Sequence, residues 1–408
     1  MDSVTQLKYA DLLLQVGLNL QPGQNLMIGG EPVHWDFVNV LSKRAYELGA
    51  RYVDTMLVHP EFSKMRIQHS PEDYLSYFPS YVKAKYSGMV EESFASIRLE
   101  GSAFPDLFQD VDQDRNAILT KARNEVLSPF RAAAMSGQVA WCVAGLPTDA
   151  WAERVLGTAD ADALWETLIP ILRLDQEDPI ATWKGLAEAL QRRSNSLNAQ
   201  HLTRLHFQAP GTDLSVALLE KGSWCGGSIV KPDGEAFVPN LPTEEVFTSP
   251  DYRLTSGRAQ VTRPVEVLGH EVVGAWFEFV DGVVVDFGAD EGQARLEKFF
   301  EIDPRAKSLG EIALVDGSSP IFKSGHIFHS ILYDENAACH MALGSSYADT
   351  FENGPAMSES ERYEAGLNQA ILHTDFMIGS EAITVTGYDA DGKAIPIIID
   401  GQFCEAFA

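Results

Sequence analysis

The chain has 408 residues, more than one hydrophobic core usually supports, so two domains are expected; at 45% hydrophobic and 22% charged residues it has an ordinary globular composition. Its 58 Asp and Glu against 31 Lys and Arg give a formal net charge of −27, which repels phosphate backbones and anionic lipid and favours cations and amine-bearing ligands, though solubility alone also uses such a surface. The four cysteines stand far apart with no CxxC spacing, the N-terminus lacks a signal-peptide pattern, and no stretch nears the roughly twenty apolar residues of a membrane span, so a reduced, cytoplasmic setting is expected.

The first part alternates helix and strand signals. Residues 4–17 carry apolar positions at helical spacing, Gly23 marks a turn, and Asn25 to Ile28 reads as a buried strand. A helix over 34–49 with Gly49 near its end, a strand in RYVDTMLV, a helix over 71–92, a strand in ASIRLEG, a helix over 112–135 and a strand in QVAWCVAGLP follow. Helices of this length between strands imply crossovers and a mostly parallel sheet. The first domain, residues 1–198, is therefore predicted to be a three-layer α/β unit.

Residues 159–198 read as two more helices, and the polar run SNSLNAQ marks the approximate boundary. Beyond it the pattern switches to alternation with Gly and Asp turns, as in GAWFEFVDGVVVDFGAD around Asp281-Gly282 and AITVTGYDADGKAIPIIIDGQF around Asp389 to Gly392. The second domain, 199–408, is predicted to be β-rich α+β, with helices near 290–301 and 359–372.

There is no GxSxG elbow, no GxxxxGK[ST] loop and no GxGxxG between strand and helix, which removes weight from serine hydrolases, P-loop enzymes and dinucleotide-binding dehydrogenases. Gly269-His270-Glu271 begins like a zinc-protease helix, but position 274 is Gly and the run VVGAWFEFV is strand-like, so His270 and Glu271 read as ordinary strand residues.

The stretch from Asp334 to Asp375 concentrates imidazoles and carboxylates. His373 and Asp375 are one residue apart and, if extended, project from one face. Glu335 and His340 converge only across a bend, and a lone histidine between Cys339 and Met341 is also a common core residue. Tyr347 follows the Gly344-Ser345-Ser346 break and suits either packing or an oxyanion contact. Glu311 heads the apolar run IALV, where a buried carboxylate requires a partner. Glu244 and Glu245 follow Thr243, which by itself reads as a helix cap. Together Glu245, Glu311, Glu335 and Asp375 with His340 and His373 make a ligand set suited to two ions of the Zn, Co, Mn or Mg type.

The strings NLPTEEVFTSP, SLGEIALV, DENAACHMALGSSY and ILHTDFMIG, in this order, resemble those of the M29 metallo-aminopeptidases. The resemblance implies a cytoplasmic, homodimeric exopeptidase acting on peptides with a free N-terminus through a water activated by two divalent ions. Residue by residue it implies metal ligation by Glu245, Glu311, Glu335, His340, His373 and Asp375, with Glu311 shared between the ions. It leaves catalytic roles to Glu311 and Tyr347. A hydrolase of other small amides or esters, or a closed and inert metal- or peptide-binding protein, are the competing expectations.

Overall fold

In the computed structural model, which describes residues 1–408, the apolar run after Gly23 becomes the strand Asn25–Gly30 of a five-stranded sheet. Across that sheet the strands lie in the order Asn240–Leu241, Trp141–Gly145, Ala95–Glu100, Asn25–Gly30 and Tyr52–Leu57. Every pairing is parallel. Parallel neighbours need long crossovers, and the helices Trp35–Glu47, Ser80–Glu91 and Gln113–Met135 fall between these strands. Side-chain oxygens start the helices: Asp112 accepts from the N–H groups of Asp114 and Arg115, Thr148 from Trp151, and Asp160 from Ala163.

The chain divides into two compact units, Met1–Lys184 with Ser228–Leu241, and Gly185–Gly227 with Pro242–Ala408. The excursion Ser228–Leu241 supplies the edge strand Asn240–Leu241 beside Trp141–Gly145. No helix is long and apolar enough to cross a membrane.

Three stretches differ from their sequence pattern. Residues 71–92 split into Glu72–Leu75 and Ser80–Glu91 at Pro79, whose ring and missing N–H do not continue a helix. The polar run starting at Ser194 is helical as far as Asn198, the end of the helix Pro179–Asn198, which buries Ser194 and Leu197, and only Ala199 and Gln200 leave the helix. The helix expected over 359–372 is only Glu359–Glu364, because Gly366 turns left-handed at φ 103° and residues 367–372 leave the helical conformation.

The second unit is built on antiparallel sheets. One has eight strands and includes the hairpins Arg204–Ala209 with Thr212–Ala217, Trp276–Val280 with Val283–Gly288, and Thr384–Tyr388 with Ala394–Ile399. Asp281 and Gly282 both take positive φ, 48° and 80°, the conformation a two-residue hairpin turn requires. The other sheet has five strands: His373–Met377, His340–Gly344, Leu309–Val315, Glu245–Thr248 and Cys225–Gly226. Phe207, Phe277, Ile312, Leu314, Met341 and Phe376 belong to one apolar core, the main source of the unit's stability.

Candidate metal centre

The five-stranded sheet separates polar from apolar side chains by register. Glu245 lies opposite Val315, His340 opposite Ala313, Glu311 opposite Ala342, and Ala342 in turn opposite Asp375, while Gly344 faces His373. Opposed residues project to the same side of a sheet, so Glu245, Glu311, His340, His373 and Asp375 share one face. Ile312, Leu314, Val246, Met341, Leu343 and Phe376 alternate with them and enter the core on the other. Ala313, Ala342 and Gly344 are small residues in the middle of the polar face, which leaves room for the longer side chains to converge. Glu245 thus opens a strand, with Glu244 just ahead of it, and the two do not start a helix, as the pairing of Glu245–Thr248 with Leu309–Val315 shows.

The donors form two groups that share Glu311. Glu245, Glu311 and His340 bring ligand atoms within 4.8 Å of one another, and so do Glu311, His373 and Asp375. His340 Nε2 lies 3.2 Å from Glu245 Oε2, and His373 Nε2 lies 3.2 Å from Glu311 Oε2 and 3.4 Å from Asp375 Oδ1. On each ring the other nitrogen is engaged by backbone: His373 Nδ1 donates to the Ser345 carbonyl at 2.7 Å and His340 Nδ1 to that of Ala338 at 3.3 Å. This arrangement aims both Nε2 atoms into the cluster, as carbonyl partners do behind metal-bound histidines.

Electrostatics show what the cluster demands. Burial raises Glu311 to about 7, with Asp375 and Glu245 adding to the rise and His373 opposing it. Burial works against a charged imidazole, yet Glu245 and its neighbouring carboxylates push His340 up to about 10, and Asp375 and Glu311 hold His373 well above its ordinary range. Asp375 ends below its ordinary value: His373 and His340 outweigh the effect of burial. So many buried carboxylates call for positive charge. Glu245 Oε2 and Asp375 Oδ1 are buried and receive no hydrogen bond. Orphaned carboxylate oxygens beside imidazole nitrogens aimed into the same cluster fit divalent cations of the Zn, Co, Mn or Mg type.

Glu335 and Tyr347 border the groups without belonging to them. Glu335 lies in the short 3-10 turn Glu335–Ala337 and accepts from Asn336 Nδ2 at 3.3 Å. Burial and then the carboxylates of Asp375, Glu245 and Glu311 raise its pKa well above normal, with His340 opposing. Tyr347 places its hydroxyl 3.3 Å from His373 Nε2. Its ring meets those of His373 and Phe247 at centroid distances of 5.0 and 5.5 Å. Its N–H donates to Ser249 Oγ at 3.2 Å, so the segment carrying Glu245 also fixes Tyr347. Burial first, then Glu311, Asp375, Glu335 and Glu245, hold the phenol protonated far above its ordinary range.

His270 lies in the strand His270–Val272, paired with Val265–Val267, and belongs to neither donor group. Sequence patterns passed over Asn336, whose fully buried amide accepts from Glu244 N–H at 2.7 Å and donates to Leu332 O at 3.0 Å. Its one signal is a polar side chain among the small residues of the NAAC run. Ser345, which acts through its carbonyl, leaves no trace in residue type.

A buried nitrogen and oxygen donor cluster with a protonated phenol at its rim fits the class of metal-dependent hydrolases. The chain matches the thermophilic metalloprotease family M29 over residues 4–403 and belongs to that family. It is 37% identical to Aminopeptidase 2 of Geobacillus stearothermophilus over 400 residues, 97% of each chain. It is 35% identical to Aminopeptidase AmpS of Bacillus subtilis over 409 residues, covering 99% of this chain and all of the relative. The structure of wild-type AmpT from Thermus thermophilus superposes with a TM-score of 0.90 at 32% identity, covering 98% of both chains. The chain is accordingly an enzyme, a hydrolase of the metallo-exopeptidase class.

Proposed function

We propose that the chain removes N-terminal residues from peptides at two divalent ions held by Glu245, Glu311, Glu335, His340, His373 and Asp375. The observation that carries this reading is Glu311, which is common to both donor groups and so suits a ligand shared between neighbouring ions. Bound there, the ions supply Lewis acidity, which makes hydroxide available near neutral pH and polarises a scissile carbonyl. Glu311 or Glu245 takes the attacking water's proton and returns it to the leaving amine. Tyr347, kept protonated by its surroundings, donates to the developing oxyanion. The surplus of carboxylates also suits a substrate's free α-amine, which excludes internal peptide bonds.

In this reading region 199–408, which holds every named side chain, is the catalytic domain. The protein acts in the cytoplasm as a homodimer, as the family resemblance suggests, and its net charge of −27 fits a partner set without nucleic acid or membrane. The test is an amino-acyl anilide assay before and after chelator treatment, with Co, Zn or Mn added back, run beside the N-acylated analogue. Activity is expected to vanish on stripping, return with metal and be confined to the free-amine substrate. Full activity of the stripped chain, or equal cleavage of the blocked analogue, would overturn the proposal.

A further inference from the structure

Asn336 is fully buried, and each end of its amide reaches a different part of the centre. Oδ1 accepts from the N–H of Glu244 at 2.7 Å, at the point where the chain enters the strand that carries Glu245. Nδ2 donates to Glu335 Oε1 at 3.3 Å and to Leu332 O at 3.0 Å. Its own carbonyl accepts from Ser319 Oγ at 2.9 Å, which anchors the backbone from which the amide projects. Glu335 and Glu245 are 90 residues apart in sequence. One buried amide with a fixed donor end and a fixed acceptor end ties them together.

We infer that Asn336 is a positioning residue, which orients the Glu335 carboxylate and the Glu244–Glu245 backbone so that both carboxylates reach the same ion. The inference rests on the metal reading above. An aspartate at this position keeps the size and the acceptor for Glu244 N–H. It loses the donor and sets a carboxylate oxygen against Glu335 Oε1. A merely space-filling role is indifferent to that exchange, whereas an orienting role is not.

The test titrates Zn into the chelator-stripped full chain against a metal indicator, for the wild type, N336D, E335Q and E335Q/N336D. N336D is expected to weaken metal affinity by about tenfold to a hundredfold, the usual cost of losing a partner behind a ligand. E335Q/N336D is expected to bind no more weakly than E335Q alone, because the two changes act through one contact. Wild-type affinity in N336D, or losses that add in the double variant, would overturn the inference. If N336D does not fold, the double variant is expected to fold, since the new amide at 335 can donate to the new carboxylate at 336. Failure of both to fold would reduce Asn336 to a structural role. A wild-type chain that takes up no metal sinks the underlying metal reading instead, a result distinct from any effect at Asn336.

Discussion

Leu309 and Glu311 stand two residues apart on one strand yet point to opposite faces of the sheet. The pairing register slips between them, Leu309 opposing Leu343 on the core side and Glu311 opposing Ala342 on the donor side. The extra residue is Gly310, and a Cβ built there would lie 2.2 Å from Ser345 O and 2.5 Å from Gly344 O, too close for any real contact. Ser345 O is also the acceptor for His373 Nδ1. Gly310→Ala is therefore expected to displace the carbonyl behind His373 and the bulge that aims Glu311. We expect destabilisation of about 1–3 kcal/mol with at least a tenfold loss of metal affinity. Thermal melting and metal content per chain check both, and a variant with wild-type metal content would refute the argument.

Because Glu311 belongs to both donor groups, its replacement should empty both rather than one. Glu311→Gln keeps the shape, removes the negative charge and is expected to lose both equivalents of metal. Activity should fall by several kcal/mol of transition-state stabilisation, on the order of a thousandfold or more. His270→Ala, at a strand position outside the groups, should retain metal and near-normal turnover. Elemental analysis after gel filtration reads the result directly. One equivalent remaining in Glu311→Gln would mean that this carboxylate serves a single ion.

The hydroxyl of Tyr347 can be removed without removing its ring. Tyr347→Phe leaves the contacts with Phe247 and His373 in place and deletes the donor 3.3 Å from His373 Nε2. If the phenol serves the oxyanion, kcat should fall about a hundredfold to a thousandfold. KM and metal content should change little. Steady-state kinetics on the anilide substrate decide it, and an unchanged kcat would leave the ring with packing alone.

The parts of this centre differ in how far residue order reveals them. His373 and Asp375 are legible because a spacing of two in an extended run puts both side chains on one face. Likewise, parallel strands in the first unit follow from helices long enough to cross over between short apolar runs. Glu245 is ambiguous on its own, since PTEE suits a helix cap as well as a strand start. Only the pairing with Leu309–Val315, more than sixty residues away in sequence, makes it a strand. The bulge at Gly310 is invisible for the same reason, because register is a property of two strands and not of one. The long helix expected over 359–372 fails at Gly366, whose positive φ is set by its surroundings rather than by the apolar spacing that precedes it.

In the first unit, His34 sets a pH dependence separate from the metal centre. Its ring is 1% exposed; Nδ1 accepts from Glu31 N–H at 3.2 Å, so Nε2 carries the proton and donates to Gly101 O at 3.0 Å. Burial lowers its pKa below the ordinary histidine value of 6.5, against smaller opposing effects of the Gly101 carbonyl and Glu31. The unfolded chain therefore takes up a proton at this residue at a higher pH than the folded chain does. Stability from this source is complete above the unfolded value and is lost as pH falls through it toward the depressed folded value. His34→Gln is expected to be less stable at neutral pH, because the two backbone contacts are disturbed, but to lose less further stability between about pH 7 and 5 than the wild type. Denaturant melts across that range give the comparison, and the ring resonances of His34 should titrate with a midpoint below that of an exposed histidine. A midpoint at or above that of an exposed histidine would show that the buried ring accepts a second proton freely, and the acid sensitivity would then need another origin.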